Sequence, residues 1–177
     1  MTTLTVASSS AMEELGLALA GLLRAGDLVV LTGPLGAGKT TLTRGIGRGL
    51  GVRGQVASPT FVLARTHPSL AADGVPLVHV DAYRLGFAAE LDDLDLDYAP
   101  SVVVVEWGEG LLDGVAESWL DVRIERPVGG GAGGDDGSDV ATDVATDVGS
   151  EAGEADEPRV VTLDAHGPRW SGVALPA

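Results

Sequence analysis

A glycine-rich motif followed by a lysine constrains the fold of this chain more than any other feature. Residues 33–40 read Gly-Pro-Leu-Gly-Ala-Gly-Lys-Thr, which fits the pattern G-x-x-x-x-G-K-[ST]. The motif follows a short apolar run at 28–31, typical of a strand buried on both faces, and precedes a helical stretch that ends near Gly51. Because strand, loop and helix are the context that this motif needs, the sequence predicts an α/β fold around a phosphate-binding loop.

The chemistry of this loop predicts ATP and Mg²⁺ as ligands. Glycines let successive backbone N–H groups point inward at the start of a helix, which creates an anion site. Lys39, the only lysine in the chain, supplies a compact cation for the β and γ phosphates, and Thr40 offers a hydroxyl to Mg²⁺. The alternative, a glycine-rich turn with a surface lysine, fits the strand and helix context poorly. We expect the nucleotide to be held by Gly33, Leu35, Gly36, Ala37, Gly38, Lys39, Thr40 and Thr41.

The remaining patterns predict a P-loop NTPase-like α/β domain with a mostly parallel central sheet flanked by helices. A first helix is indicated by a capping box of Ser10 and Glu13 and ends at Gly26. Further strands are predicted at 60–64, 77–80 and 102–105, and an acidic helix at 87–96. Strands at 120–124 and 160–163 are predicted to form an antiparallel extension near the C-terminus.

Length and charge predict one domain, residues 1–177, with an acidic insertion. The segment 129–157 holds nine acidic residues, no basic residue and many glycines, which predicts a disordered insertion. The formal net charge of −15 argues against direct binding to DNA or RNA, which needs clustered Lys and Arg. If RNA is involved, we therefore expect a protein partner to hold it.

The chain also lacks the marks of secretion, membrane insertion and thiolate metal sites. It contains no cysteine, and its three histidines are widely separated, so any metal should be bound by oxygen ligands. The apolar stretch at 15–23 is shorter than the roughly 18 residues of a membrane helix. Its first basic residue, Arg24, follows this stretch, unlike the charge order of a signal peptide. We expect a cytoplasmic protein without membrane contact.

Two acidic residues follow predicted core strands. Asp81 ends the strand at 77–80 and Glu106 ends the strand at 102–105, so both are expected at the carboxyl edge of the sheet, where ligands of open α/β sheets bind. Either acid could orient the magnesium water shell, or cap a loop. His79 is interpreted as a packed or hydrogen-bonded structural histidine, and Arg84 as an ion-pair partner in preference to a phosphate ligand. Trp107 is interpreted as partial core in preference to a contact with nucleotide or partner.

Four motifs in order and spacing resemble one family. They are residues 33–41, Ser-Pro-Thr-Phe at 58–61, His-Val-Asp-Ala-Tyr-Arg-Leu at 79–85 and Val-Glu-Trp at 105–107. Together they resemble the TsaE (YjeE-type) P-loop ATPases of tRNA threonylcarbamoyladenosine synthesis, over roughly residues 15–124. The resemblance implies that Thr40 and Glu106 bind Mg²⁺, that Asp81 supports the metal or the hydrolytic water, and that Thr60 belongs to a switch-like segment. The implied catalytic residues are Lys39, Thr60, Asp81 and Glu106.

The resemblance further implies Mg²⁺-dependent ATP hydrolysis, slow in isolation, that serves a complex of TsaB and TsaD. That complex modifies the adenosine next to the anticodon, so contact with tRNA would be indirect. The acidic stretch at 90–97 is either a partner contact or a solvated helix face. The resemblance also suggests an adenine pocket near Ser10. The insertion at 129–157 and Asp95, where a glycine is expected, depart from the family pattern.

Two other functions remain open at this stage. A small-molecule or nucleoside kinase would also combine a P-loop with an acid and an arginine, here Asp81 and Arg84. Kinases bring several cations over the transferred phosphate, yet no Lys or Arg lies between Arg84 and Arg123. A non-catalytic nucleotide sensor that orders the segment around Thr60 is the second alternative. The acids Asp81 and Glu106 favour hydrolysis.

Overall fold

A single mixed sheet carries the part of the chain that the computed structural model describes, residues 1–84, 99–108, 116–126 and 157–177. Its strands are β1 Thr2–Val6, β2 Leu28–Thr32, β3 Ala64–His67, β4 Leu77–Asp81, β5 Val102–Glu106, β6 Trp119–Glu125 and β7 Arg159–His166. Its helices are α1 Ser9–Ala20 and α2 Lys39–Gly49. Short 3₁₀ helices span Ala82–Arg84 and Pro168–Trp170. The strand order is β1-β7-β6-β2-β5-β4-β3.

The centre of the sheet is parallel and its borders are antiparallel. Strand β2 lies between β5 and β6 and runs parallel to both, and β4 continues the parallel set beside β5. Strand β7 pairs antiparallel with β6 and with β1, and β3 pairs antiparallel with β4. The predicted fold class, including the antiparallel extension, is confirmed. Because the parallel strands share a direction, their carboxyl ends meet at one edge of the sheet.

The predicted strand at 60–64 is wrong for all but its last residue. Thr60 to Leu63 form a turn, in which the N–H groups of Val62 and Leu63 both donate to the Pro59 carbonyl. Leu63 adopts a left-handed conformation with φ 65°, which an extended strand does not allow. Strand β3 therefore begins only at Ala64.

The first helix begins two residues earlier than the predicted capping box. Ser8 is the N-cap, and its side chain accepts a hydrogen bond from the Ala11 N–H at 3.1 Å. Ser10 is therefore not the cap, and α1 ends at Ala20, well before the predicted stop at Gly26. Glu13 does not close a capping box but faces Arg44 and Arg48 of α2.

Helices α1 and α2 cover one face of the sheet and contact each other closely. The larger apolar cluster packs between these helices and the sheet, and a smaller one lies on the opposite face. Glycines make the close crossing possible, because a Cβ on Gly45 would meet the Glu13 carbonyl of α1 well inside van der Waals distance. Since α2 carries the phosphate loop at its N-terminus, this contact fixes the loop relative to α1.

Gly45→Ala should destabilise the protein by about 2 kcal/mol in urea-unfolding experiments. The added methyl group must push apart backbone that cannot rotate away, and overpacking of this kind costs about 1–3 kcal/mol or more. That cost outweighs the gain of about 1 kcal/mol in helix propensity. Gly21→Ala is the matched control, since Gly21 has φ −66° and the new Cβ would lie 3.4 Å from the Ala18 carbonyl oxygen, an ordinary contact. It should gain about 0.4–1 kcal/mol; equal effects of both changes would contradict the packing argument.

Several predicted features lie outside the described residues. They are the acidic helix at 87–96 with Asp95, the acidic stretch at 90–97 and the insertion at 129–157 except its last residue, Glu157. Within the described ranges, no helix combines the length and apolar character needed to cross a membrane.

Candidate phosphate-binding and magnesium site

The phosphate loop connects the carboxyl end of β2 to the first turn of α2. Residues 33–38 form the connection, and Gly38 serves as the helix N-cap with φ 109°, a conformation that favours glycine. Gly33 lies against the Ile124 carbonyl of β6 so closely that a Cβ would overlap it. The first residues of α2 thus direct their free N–H groups to the carboxyl edge of the sheet, as an anion site requires.

Lys39 lies buried beneath the loop, with only 5% of the residue exposed. Its Nζ donates to the carbonyls of Gly33 at 2.8 Å and Pro34 at 3.0 Å and lies 3.6 Å from the centre of the Trp107 ring. Burial lowers the pKa of Lys39, while the charges of Glu106 and Asp81 oppose that shift. The cation is therefore held in place by its own loop, by an aromatic face and by two nearby carboxylates.

Glu106 and Asp81 are direct neighbours across the sheet. The last residues of β4 and β5 pair in register, which places both acids at the same edge. Glu106 is 3% exposed, and its Oε1 accepts hydrogen bonds from the Thr40 hydroxyl at 2.9 Å and from His79 Nε2 at 2.8 Å. His79 is therefore hydrogen-bonded, as the sequence analysis interpreted it. Thr40 joins the phosphate loop directly to this acid.

Asp81 is joined to the turn at 58–63. The Thr60 hydroxyl donates to Asp81 Oδ2 at 2.7 Å, and Ser58 Oγ lies 2.7 Å from the same hydroxyl. The Tyr83 N–H donates to Asp81 Oδ1 at 3.0 Å. The contact that the structure shows for Arg84 is a hydrogen bond to the Thr60 carbonyl, so the ion pair expected for this arginine is not found among the described residues. Arg84 instead holds the turn in place.

A cleft of about 320 Å³ lies at the centre of these contacts. The predicted residues that line it are Leu35, Gly36, Ala37, Gly38, Lys39, Thr40, Thr41, Thr60, Asp81 and Glu106. Gly33 instead lines a neighbouring cavity of about 410 Å³. Leu35 is 86% exposed at the rim. The structure therefore brings the predicted residues to one place, with Gly33 immediately beside it.

Trp107 is a residue of this site that sequence reasoning did not assign to it. Its interpretation as partial core agrees with its partial burial, but the residue also lines the cleft and lies against Lys39 Nζ. Its φ of 62° turns the chain sharply after β5, while its N–H still donates to the Leu31 carbonyl at 2.9 Å. Ser58 also lines the cleft and was not predicted as a site residue. The sequence feature that could have indicated the place of Trp107 at the cleft is its position directly after the strand-terminal Glu106.

The oxygen groups of the cleft fit a magnesium ion better than a metal held by protein ligands alone. The described residues contain no group of three or more His, Cys, Asp or Glu side chains able to hold a metal. They do offer the Thr40 hydroxyl and the carboxylates of Glu106 and Asp81, all hard oxygen donors. Mg²⁺ is typically bound through one or two such groups together with phosphate oxygens and water. The donor set is therefore suited to Mg²⁺ that arrives with a nucleotide.

Comparisons of this chain with a family model and with known proteins agree on one family. The model of the family described as "Threonylcarbamoyl adenosine biosynthesis protein TsaE" matches residues 6–129. The chain belongs to the TsaE family. The protein named tRNA threonylcarbamoyladenosine biosynthesis protein TsaE from Streptomyces coelicolor is 55% identical over 163 residues, which cover 90% of this chain and 94% of that protein.

More distant relatives agree with this assignment. The TsaE protein of Mycobacterium tuberculosis is 52% identical over 120 residues, covering 63% of this chain and 71% of the relative. The crystal structure of YdiB from Bacillus subtilis superposes with a TM-score of 0.64 at 26% identity, covering 96% of this chain and 88% of YdiB. The chain thus has the P-loop NTPase-like fold of this structural neighbour. The resemblance drawn from the four sequence motifs is confirmed.

Proposed function

We propose that this TsaE-family protein is a Mg²⁺-dependent ATPase of tRNA threonylcarbamoyladenosine biosynthesis, acting on a TsaB–TsaD complex in the cytoplasm. The observation that carries the proposal is the convergence of Lys39, Thr40, Asp81 and Glu106 in one cleft at the carboxyl edge of the sheet. The names of the relatives place those proteins in the same modification pathway. Fold alone would not support an activity, but this set of side chains does.

Each group of the cleft has a chemical role in ATP hydrolysis. The loop N–H groups and Lys39 bind the phosphates and neutralise charge on the γ-phosphoryl group as it leaves ADP. Thr40 and Glu106, which are joined by a hydrogen bond, would hold Mg²⁺, which supplies further neutralisation of phosphate charge when bound. Both oxygens of Asp81 already accept one hydrogen bond, from Thr60 and from the Tyr83 N–H, which fixes the carboxylate. Its remaining lone pairs can orient the attacking water.

The charges around the cleft favour hydrolysis over transfer to a second substrate. Among the described residues that line the cleft, Lys39 is the one cation, whereas two carboxylates face it. A kinase has to hold a transferred phosphate and an acceptor, and this needs several cations. The overall negative charge of the chain also favours binding to a protein partner over direct binding to the negatively charged tRNA.

Lys39→Ala tests the proposal most directly. We expect ATP hydrolysis by the purified protein to rise several-fold or more when TsaB and TsaD are added, and this stimulated rate to fall at least about 100-fold in the variant. The loss of one fixed charge on the transition state is worth about 3 kcal/mol or more, and each 1.36 kcal/mol is tenfold in rate. Phosphate release under saturating Mg²⁺ is the measurement.

Arg44→Ala is the matched control for this experiment. Arg44 lies on the same helix but points to Glu13 of α1 instead of the cleft, so its loss should leave turnover within about twofold. Hydrolysis that is indifferent to TsaB and TsaD would contradict the proposed partners. Hydrolysis that survives in Lys39→Ala would contradict the proposed site.

A further inference from the structure

His79 is a polar residue in a strand that is otherwise built for the core. Strand β4 reads Leu-Val-His-Val-Asp and is buried throughout, and His79 is fully buried, paired with Val104 of β5 and Arg65 of β3. Within the described part of the chain its Nδ1 has no hydrogen-bond partner, and this leaves a buried polar atom unsatisfied there. An unsatisfied buried group is costly, so packing alone favours an apolar side chain here. The ring must contribute something else.

That contribution is the hydrogen bond from Nε2 to Glu106. Because a carboxylate only accepts, the Nε2–H of His79 donates to Glu106 Oε1 at 2.8 Å. The Thr40 hydroxyl donates to the same oxygen at 2.9 Å. Two donors on Oε1 fix the rotation of the carboxylate, and no described residue donates to Oε2. As far as the described residues go, the second oxygen can therefore accept from a ligand or from water around a metal.

We propose that His79 is a positioning residue that orients the Glu106 carboxylate for magnesium. The inference rests on the proposed function, because it assigns His79 to the same metal site. His79 does not reach the cleft itself, since the cleft is lined by Glu106, Asp81 and the phosphate loop. It acts through Glu106, as the outer hydrogen-bond partner of a metal-binding group usually does. Loss of such partners typically lowers metal affinity about 10–100-fold.

Three substitutions separate the hydrogen bond from the shape of the ring. His79→Gln keeps an N–H donor three bonds from Cβ, which is the position of Nε2. His79→Asn keeps a polar amide but places it two bonds from Cβ, too short to reach Glu106. His79→Leu removes the donor and fills the same apolar surroundings. The Asn variant keeps the test decisive if the Leu variant folds poorly.

The measurement is the affinity of each full-length variant for ATP, by calorimetry, once with saturating Mg²⁺ and once with EDTA. The ratio of these two affinities reports how much the metal contributes at the site. We expect the ratio to fall about tenfold or more in His79→Leu and His79→Asn and to stay within about threefold of the parent in His79→Gln. The affinity for ATP in EDTA should stay within about twofold of the parent value in all three variants, because the phosphate loop is unchanged.

Three results would overturn the positioning role. The first is a parent-like ratio in both His79→Leu and His79→Asn, and the second is an equal fall in His79→Gln and His79→Leu. The third is a ratio that follows the stability of the variants, which urea unfolding of each variant measures. If the parent protein binds ATP equally well with Mg²⁺ and with EDTA, the proposed function itself is overturned, and the inference with it. The failures are therefore distinguishable.

Discussion

Glu106→Gln should lower the ATP hydrolysis rate at least about 100-fold while leaving metal-free ATP binding close to that of the parent. The substitution keeps the size of the side chain and an oxygen that can accept from Thr40 and His79. It removes the negative charge that we propose holds Mg²⁺. Metal ions contribute several kcal/mol of charge stabilisation to phosphoryl transfer, so even partial loss of the ion costs about 3 kcal/mol.

The same substitution at an exposed acid supplies the control. Glu14 lies on α1 with 61% of its side chain exposed and pairs with Arg48, away from the cleft. Glu14→Gln should leave turnover within about twofold, because exposed ion pairs contribute at most about 1 kcal/mol. The rates are measured by phosphate release over a Mg²⁺ titration, with ATP binding in EDTA measured in parallel. A Glu106→Gln enzyme with a parent-like rate at all Mg²⁺ concentrations would exclude Glu106 as a metal-binding group.

The position of the cleft was predictable because it depends on local patterns. The apolar run before Gly33 and the helix after Lys39 identified the central strand and the phosphate loop. Parallel strands end at one edge, so Asp81 and Glu106 could be expected there without any knowledge of their register. A pairing register depends on side-chain packing along the whole strand, and a shift by one residue reverses the faces. The direct pairing of Asp81 with Glu106 therefore came only from the structure.

Other features could not be predicted because they depend on contacts between residues that are far apart in the chain. Strand β1 was not predicted, because a short run of threonines becomes a strand only through pairing with β7, more than 150 residues away in the chain. The segment 60–63 has the β-branched and aromatic residues that are typical of a strand. It forms a turn because N–H groups of the segment donate to the Pro59 carbonyl and because the Thr60 hydroxyl donates to Asp81. The contact of Trp107 with the cleft was not predicted, because it follows from a left-handed backbone turn. Local propensity does not encode these tertiary interactions.

The ion pair between Asp27 and Arg169, which are 142 residues apart in the chain, could not be predicted from the sequence either. Asp27 lies just before β2 and is 4% exposed. Arg169 donates from Nε and Nη2 to its two carboxylate oxygens at 2.8 and 2.7 Å, and Nη2 also donates to the Leu22 carbonyl. The Arg24 N–H donates to the same carboxylate at 2.9 Å. The C-terminal 3₁₀ helix is thereby tied to the loop between α1 and the central strand.

Arg169→Leu should lower the free energy of unfolding by about 3–5 kcal/mol, the cost of leaving a buried charge without its partner. Urea unfolding followed by circular dichroism is the measurement. Arg53→Leu is the matched control, because Arg53 is exposed and its loss should change stability by at most about 0.5 kcal/mol. A loss below about 1 kcal/mol in Arg169→Leu would mean that Asp27 does not depend on this arginine.

The double variant Asp27→Asn with Arg169→Leu distinguishes loss of charge pairing from loss of packing. Asparagine keeps an oxygen for the Arg24 N–H but carries no charge, so no buried charge is left without its partner. Replacing both members of a buried pair is often nearly neutral, whereas removing one is strongly destabilising. We therefore expect the double variant to recover at least half of the stability lost in Arg169→Leu. A double variant as unstable as the single one would show that the arginine acts mainly through its packing over Trp170, whose ring centre lies 4.6 Å from the guanidinium carbon.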